Sequence, residues 1–543
     1  MRGCRRSGSA SVDKPRPAAR RGARWGTVAA AIGCIAVPGV AHAEPWRLSA
    51  SAGATATYNH YFGADQPSDG FVACLTGSLG IHSGTAGRLK LNGTLGANQA
   101  LCTGGQSNSF APAVNLAANL EVIEKFFFID ATANVSETFI TPFGPQPANL
   151  TIPTNNRYIS QAYSVSPYIQ GVIAPNISYS LRDDNVWTPS ASYGDSSAKT
   201  PTTYYNNLAG QMSSVVGNGG GWTLQYTRQS YDNGTDTGTY IIQVARVIGY
   251  YAVDPQLTLS LRGGYERESF PALSGSDGAL LSSQRNQGTV YGGGINWRPT
   301  DRTLLNGFWE HRFFGSSYNW QLSHRLPNVA LSANFTRGLS SYPQLALLIP
   351  AGITVAQFLD AAFTTRIPDP AQRAAAVAQF LAQTGLPPTL ASPLNFYATT
   401  ITLQQTASLS AVWVGKLNAV GFTLFRSESE AISGSGSVLP SPFQFGANST
   451  QTGGGVNYSH RLTGLTNLVA SATYSRATPN GSDDAANNAR SNNFNALIGL
   501  STQFSPKTNG SVGLSYFTFD SPGSSNIGNQ STVSVYASIS HTF

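Results

Sequence analysis

The stretch WRLSASAGATATY, residues 46–58, sorts into two residue classes by parity. Its even positions read Trp46, Leu48, Ala50, Ala52, Ala54, Ala56 and Tyr58, and its odd positions Arg47, Ser49, Ser51, Gly53, Thr55 and Thr57. Successive side chains of a β-strand point to opposite faces, so an extended chain here shows one apolar face with an aromatic ring at each end and one hydroxylated face. Lipid on one side and water on the other satisfies both faces at once. The rings then sit where hydrocarbon meets headgroups.

The pattern recurs. Leu89, Leu91 and Leu95 alternate with Arg88, Lys90, Asn92 and Thr94; Phe127, Ile129, Ala131, Ala133 and Val135 alternate with Phe128, Asp130, Thr132, Asn134 and Ser136. Tyr163–Ile169, Trp222–Tyr226, Leu257–Tyr265, Leu468–Tyr474 and Val512–Tyr516 follow the same rule. We count about 22 such segments (range 18–24), each near the ten residues of a tilted spanning strand. Charged residues make up 11% of the chain, well under the roughly 25% of a soluble domain, and past Ala43 no apolar run reaches the length of a spanning helix. Strands that cross hydrocarbon must close, because an open edge strands backbone polar groups at several kcal/mol each. The expected fold is therefore all-β, a transmembrane antiparallel outer-membrane β-barrel over 44–543.

The connections alternate in length. Short breaks at 82–87, 123–126, 217–221, 253–256, 298–301, 326–328, 415–418, 462–467 and 505–510 are expected to face the periplasm. Longer polar stretches at 61–72, 139–158, 183–203, 268–286, 338–396, 427–447, 477–491 and 519–530 are expected to face outward, with two short outward connections near 232–238 and 315–317. Within 338–396, Thr354 and Gln357 form a capping-box pattern ahead of Val355, Phe358, Leu359 and Ala362, and Asp369-Pro370 opens a second amphipathic stretch with Ala374, Val377, Phe380 and Leu381, stopped by Gly385 and Pro387. This pair of helices either folds inward and narrows the pore or caps the rim.

Both ends of the chain carry export and assembly signals. Residues 1–24 hold eight basic side chains against Asp13; an apolar run to Val40 and the small residues Ala41–Ala43 follow, the pattern of a signal peptide (1–43) cleaved after Ala43 and exported through the Sec pathway. The +7 charge belongs to that segment: it takes eight of 33 basic and one of 26 acidic residues, leaving 25 of each. A neutral mature chain gives no reason to expect nucleic acid as a partner. Cys74 and Cys102, the two cysteines left, are expected to form a disulfide outside the cytoplasm. The last strand alternates Val533, Val535, Ala537, Ile539, His541 and Phe543, and a terminal aromatic resembles the signal read by the barrel-assembly machinery.

EKFFFIDATANVSETFITPFGPQ (124–146), YSVSPYIQG (163–171), GGGINWRPTDRT (292–303), HRFFG (311–315) and SHRL (323–326), in that order, resemble the outer-membrane β-barrel family associated with exosortase/PEP-CTERM systems. The resemblance spans most of the mature chain and rests on strand and turn signatures. It implies a role in exopolysaccharide or PEP-CTERM protein display, with those polymers as partners beside lipid and lipopolysaccharide; it names no transport substrate.

Catalysis has little support. Glu310-His311 and Ser323-His324 are adjacent pairs, which a strand turns to opposite sides. No catalytic, cofactor or metal residues are expected, and DNGTDTG (232–238) lacks calcium-loop spacing. The functional candidates are the charges that parity turns inward: Lys90, Asp130, Arg262, Glu266, Glu310 and Arg312. They either set selectivity or pair across strands. Trp46, Tyr58, Trp222, Tyr265, Trp297 and Trp320 are expected in interface girdles, and Arg228 and Arg337 at the outer rim near lipopolysaccharide phosphates. A passive pore or scaffold for extracellular polymer is the leading expectation. The alternative is an adhesive barrel whose loops bind polysaccharide, with a general diffusion porin or an enzyme behind it. A TonB-driven transporter is disfavoured because strand pairing is expected to start at Trp46, without a plug ahead of it.

Overall fold

The computed structural model describes residues 46–543 apart from 63–67, 84–86, 104–108, 150, 193–198, 217–218, 235–237, 271–272, 275–279, 282–284, all but a few positions of 349–390, 399, 433–447, 481–489 and 523–528. The expected signal peptide and its cleavage at Ala43 lie outside the described residues. In chain order the strands are β1 (Arg47–Phe62), β2 (Gly70–His82), β3 (Leu89–Cys102), β4 (Ser109–Ile123), β5 (Phe127–Phe139), β6 (Arg157–Ala174), β7 (Ile177–Thr188) and β8 (Thr203–Val216). There follow β9 (Gly220–Asp232), β10 (Thr239–Asp254), β11 (Leu257–Ser269), β12 (Leu273–Ser274), β13 (Leu280–Leu281), β14 (Arg285–Thr300), β15 (Thr303–Arg312), β16 (Gly315–Arg325) and β17 (Val329–Ser340). A short helix, α1 (Tyr342–Ala346), precedes β18 (Thr402–Val414), β19 (Asn418–Ala431), β20 (Ser449–Arg461), β21 (Thr466–Pro479), β22 (Ser491–Ser505), β23 (Thr508–Asp520) and β24 (Gln530–Thr542).

Strands β12 and β13 make a hairpin of their own, and all the others join one 22-stranded antiparallel sheet. β24 returns to β1, with Ser51 opposite Thr542 and Phe62 opposite Ser531. That pairing removes the last edge, so every strand can satisfy its backbone groups inside the sheet. The alternation read from 46–58 is the wall of the barrel: Trp46, Leu48 and Tyr58 are exposed on the outside, while Thr57 and Asn59 are buried inside. Leu224, Val247, Leu259, Leu261, Leu409, Ile498, Val512, Leu514, Val535 and Ile539 continue an exposed apolar exterior, Leu261 being 77% accessible. An apolar surface that encircles a closed barrel belongs in a bilayer. Among the expected girdle rings, Trp46, Tyr58, Tyr265 and Trp297 are all exposed.

The two ends of the barrel differ. Tight turns join β4 to β5, β6 to β7, β10 to β11, β14 to β15 and β22 to β23, and at this end β1 begins and β24 finishes. The long connections lie at the other end, where the tight β15–β16 turn at Gly315 (φ +92°) is the exception the sequence anticipated. The stretch from 183 is a correction. The sequence places the start of a loop there, but β7 continues to Thr188 and is hydrogen-bonded to β8 throughout. Polar residues on both faces had hidden the period.

Candidate functional site

Two long connections turn back into the lumen. After β5, residues 142–148 run along the inner face of β22. Ser491 Oγ donates to Pro142 O (2.9 Å); Asn493 Nδ2 donates to Gly144 O (3.3 Å) and its Oδ1 accepts from Gln146 N (2.8 Å). Two residues along, Asn495 Nδ2 donates to Gln146 O (3.1 Å) and its Oδ1 accepts from Ala148 N (2.8 Å). The inward side chains of β22 thus act as a third strand's ladder for a segment that starts far around the wall. The connection after β17 does likewise. Its first turn, α1, starts after Ser341, whose N–H donates to Gln344 Oε1, and packs against β6, β7 and β8. Tyr342 Oη lies 2.7 Å from Tyr158 Oη and 2.8 Å from Ser160 Oγ, and Gln344 Nε2 donates to Tyr205 Oη (2.7 Å). On the way back, Leu394 exchanges two hydrogen bonds with Gln451 of β20, and Tyr231 Oη donates to Ala398 O. Of the two helices expected in this connection, the described positions Ala356, Leu359, Asp360 and Phe363 and then Arg373 and Val377 have helical backbone; the rest lie outside the described residues. Arg373 Nε donates to Asp360 Oδ1 (2.7 Å), joining the two, and Leu359 and Val377 are buried. Both flanks of this connection fold inward.

One wall of the lumen is charged. Glu310 on β15 accepts from Arg246 Nη2 of β10 and Arg262 Nη1 of β11, both at 3.1 Å. Arg312 Nε donates to Glu266 Oε2 (2.8 Å), and Phe313 N donates to Glu266 Oε1. Of the three strands that contribute these groups, β11 and β15 are not neighbours. Gly292 of β14 stands between them, opposite Arg262 on one side and Glu310 on the other. A Cβ at Gly292 would fall 2.0 Å from Trp309 O, so only glycine fits, and with no side chain there Arg262 can reach across the intervening strand. Its guanidinium also lies 3.9 Å from the Phe308 ring centroid. Glu310 is 2% exposed and Glu266 and Glu268 are fully buried. Both carboxylate oxygens of Glu268 are without a hydrogen bond among the described residues. Three buried carboxylates therefore face three guanidiniums, and four of the six expected lumen charges serve this internal pairing. Asp130 belongs to a wetter cluster: it accepts from Arg182 Nη1 and Asn119 Nδ2, both at 2.6 Å, and Arg182 Nε donates to Asp184 (2.6 Å). Lys90, opposite Asn119 in register, is exposed to the lumen.

The opposite wall is uncharged. A cavity of about 670 Å³ lies between the inward segments 146–152 and 391–394 and the inner faces of β1, β2 and β19–β24. Thr55, Thr76, Asn457, Ser471, Thr473 and Tyr536 line it, with Phe425 and Phe517 beside them, and none of its described lining residues is ionised.

Other expectations resolve individually. No disulfide joins Cys74 and Cys102, which corrects the expected bond. Cys74 is opposite Ala100 and Cys102 opposite Val72, so the two thiols are diagonal neighbours. Diagonal Cβ atoms stand at about 7 Å, beyond the roughly 3.8 Å a disulfide needs. Phe543 donates its N–H to Ala50 O (2.9 Å), extending the seam between the chain ends. Arg337 is tied to the Ser316 carbonyl, and Arg228 lies opposite Leu208 and Gln243. Sequence reasoning missed Arg246, Glu268, Arg182 and Asp184. Arg246 follows the inward, buried Tyr240, Ile242 and Val244, whose apolar character masks the lumen-facing parity of β10.

No family model and no curated protein sequence matches the chain. Solved outer-membrane barrels do. The siderophore receptor PiuA from Acinetobacter baumannii is 8% identical with a TM-score of 0.44, aligned over 91% of this chain and 82% of its own. BauA, the ferric preacinetobactin receptor of the same organism, gives 11% and 0.42 over 92% and 81%. OccK5 (OpdH) from Pseudomonas aeruginosa gives 9% and 0.30 over 91% and 98%. The chain is similar to these proteins in architecture alone.

Proposed function

We propose that this outer-membrane barrel is a passive, loop-narrowed conduit for a hydrophilic polymer, working in an exopolysaccharide/PEP-CTERM envelope system of the bacterial outer membrane. The observation that carries the reading is the inward folding of 142–149 and of the flanks 341–348 and 391–398 across a lumen otherwise lined with water-compatible side chains. A scaffold or adhesin needs its loops at the surface, whereas loops docked on inner walls restrict passage. The motifs GGGINWRPTDRT and HRFFG, on which the family resemblance rests, supply Gly292 and Arg312 of the charged wall. No catalytic step enters: Glu310 is clamped by arginines, and His311 stacks outside on Tyr291 at 5.1 Å. Assembly through the terminal Phe543 and contact with lipopolysaccharide belong to the same reading.

Ser340 and Thr402 are register partners, so a two-residue turn can replace 341–401 without breaking the wall. Planar-bilayer recordings of the intact and excised barrels give the test. The intact protein should show small, discrete conductance, and excision should raise it several-fold. Absence of current from both folded barrels would overturn the conduit in favour of a surface scaffold.

A further inference from the structure

Resting on the conduit reading, we infer that the uncharged cavity is a binding subsite for a neutral oligosaccharide segment of the transported polymer, and that the barrel therefore discriminates against acidic polymers. The evidence is the chemistry of the groups that are left over. The side chains of Thr55, Thr76, Asn457, Ser471, Thr473 and Tyr536 make no hydrogen bond to any described residue, whereas the neighbouring Asn495 and Gln451 are fully engaged with the inward loops. Asn457 is 4% exposed. Its small exposed area opens on the cavity, so whatever fills that space must donate to the amide and accept from it.

The set is one carboxamide and five hydroxyls, each able both to donate and to accept. An apolar ligand would leave them all unsatisfied. A polyanion needs cations, and a polycation needs carboxylates; the described lining has neither, and Arg246, Arg262 and Arg312 are paired with Glu310 and Glu266 on the far wall. A chain of neutral sugar hydroxyls matches the set in both directions. The volume, about 670 Å³, falls inside the range of roughly 300–1,000 Å³ for ligand sites. Apolar faces are provided as well: Phe425 and Phe517 border the cavity. The Tyr536 ring spans Gly499 and Gly513, where added Cβ atoms would come within 2.7 and 2.8 Å of its hydroxyl. Pyranose rings have an apolar CH face that packs on such aromatic surfaces.

The experiment uses the whole refolded barrel in proteoliposomes and planar bilayers. Probes are maltohexaose and an oligogalacturonate of equal length. Maltohexaose should block the current reversibly and permeate at least tenfold faster than the uronate. Asn457→Asp should cut its block by tenfold or more, and the milder Thr473→Val, a near-isosteric change that keeps the wall folded, about threefold. Equal rates for the two sugars, a preference for the uronate, or block unchanged in both variants would overturn the inference while leaving the conduit standing, provided salt current persists. Loss of salt current in the unmodified barrel would instead remove the conduit itself.

Discussion

The two walls of the lumen handle polarity in opposite ways. On β10, β11 and β15 the charges are strong and spent: Arg246, Arg262 and Arg312 are matched to Glu310 and Glu266 within 3.1 Å. On β19–β24, β1 and β2 the groups are weak, and several are unspent. A charge visible in a sequence therefore marks a clamp here, and the surface available to a passing molecule is made of Thr, Ser, Asn and Tyr. The same logic separates charges within the lumen. Asp130 and Arg182 keep 26% and 38% of their side chains accessible, so water shares their load, while Glu310 has no such relief.

The largest expected effect follows from that difference. Glu310→Gln leaves two guanidiniums in a buried site without their shared counter-charge. Breaking a buried pair costs about 3–5 kcal/mol, against about 1 kcal/mol or less for an exposed one. The urea midpoint of the detergent-folded barrel should drop steeply for Glu310→Gln and barely move for Asp130→Asn. Equal shifts in the two variants would erase the distinction between the clamp and the wetter cluster.

How much of this was legible follows from which forces are local. The wall was: a two-residue period and lipid on one side place Trp46, Thr57 and Ile539 without knowledge of the partners. Inward parity was legible too, and it placed Lys90, Asp130, Arg262, Glu266, Glu310 and Arg312 on the lumen side. What those charges do was not, because it depends on Gly292 standing between β11 and β15 in three dimensions. Arg246 was lost for a related reason: β10 turns Tyr240, Ile242 and Val244 inward onto a buried apolar cluster, so water no longer dictates its pattern. The Cys74–Cys102 bond was inferred from pairing the two remaining cysteines, and register alone could show them to be diagonal. Inward folding of 338–396 was one of two readings, but the docking of 142–148 was hidden altogether, since Asn493 meets Gln146 across 347 positions of sequence.

The inward loops give the middle test, because the uncharged wall spends some of its amides on them. Asn493 and Asn495 together make four hydrogen bonds to 144–148. At about 0.5–1.5 kcal/mol net for each bond, Asn493→Ala with Asn495→Ala should loosen this segment by about 2–6 kcal/mol. Hydrogen exchange at the Gln146 and Ala148 amides should then accelerate at least thirtyfold, with β22 and β23 unchanged. Unaltered exchange would mean that something other than these side chains holds the segment inside.

The smallest effect is expected at the anchor of the other inward connection, and it is the most informative about passage. Tyr342 is buried, and burial pushes its pKa up, so the hydroxyl stays neutral and bridges Tyr158 and Ser160. Tyr342→Phe keeps the ring that packs against Tyr397 at 4.6 Å and removes only the bridge. The loss is about 1 kcal/mol, too little to unfold a closed barrel yet equal to roughly a fivefold change in a two-state equilibrium. If α1 limits passage, single-channel records should show the larger-conductance state about five times more often while the urea midpoint stays put. An unchanged open fraction would relocate the restriction to 142–152, and a fall in stability equal to that of Glu310→Gln would mean that the plug and the charged wall form one structural unit instead of two.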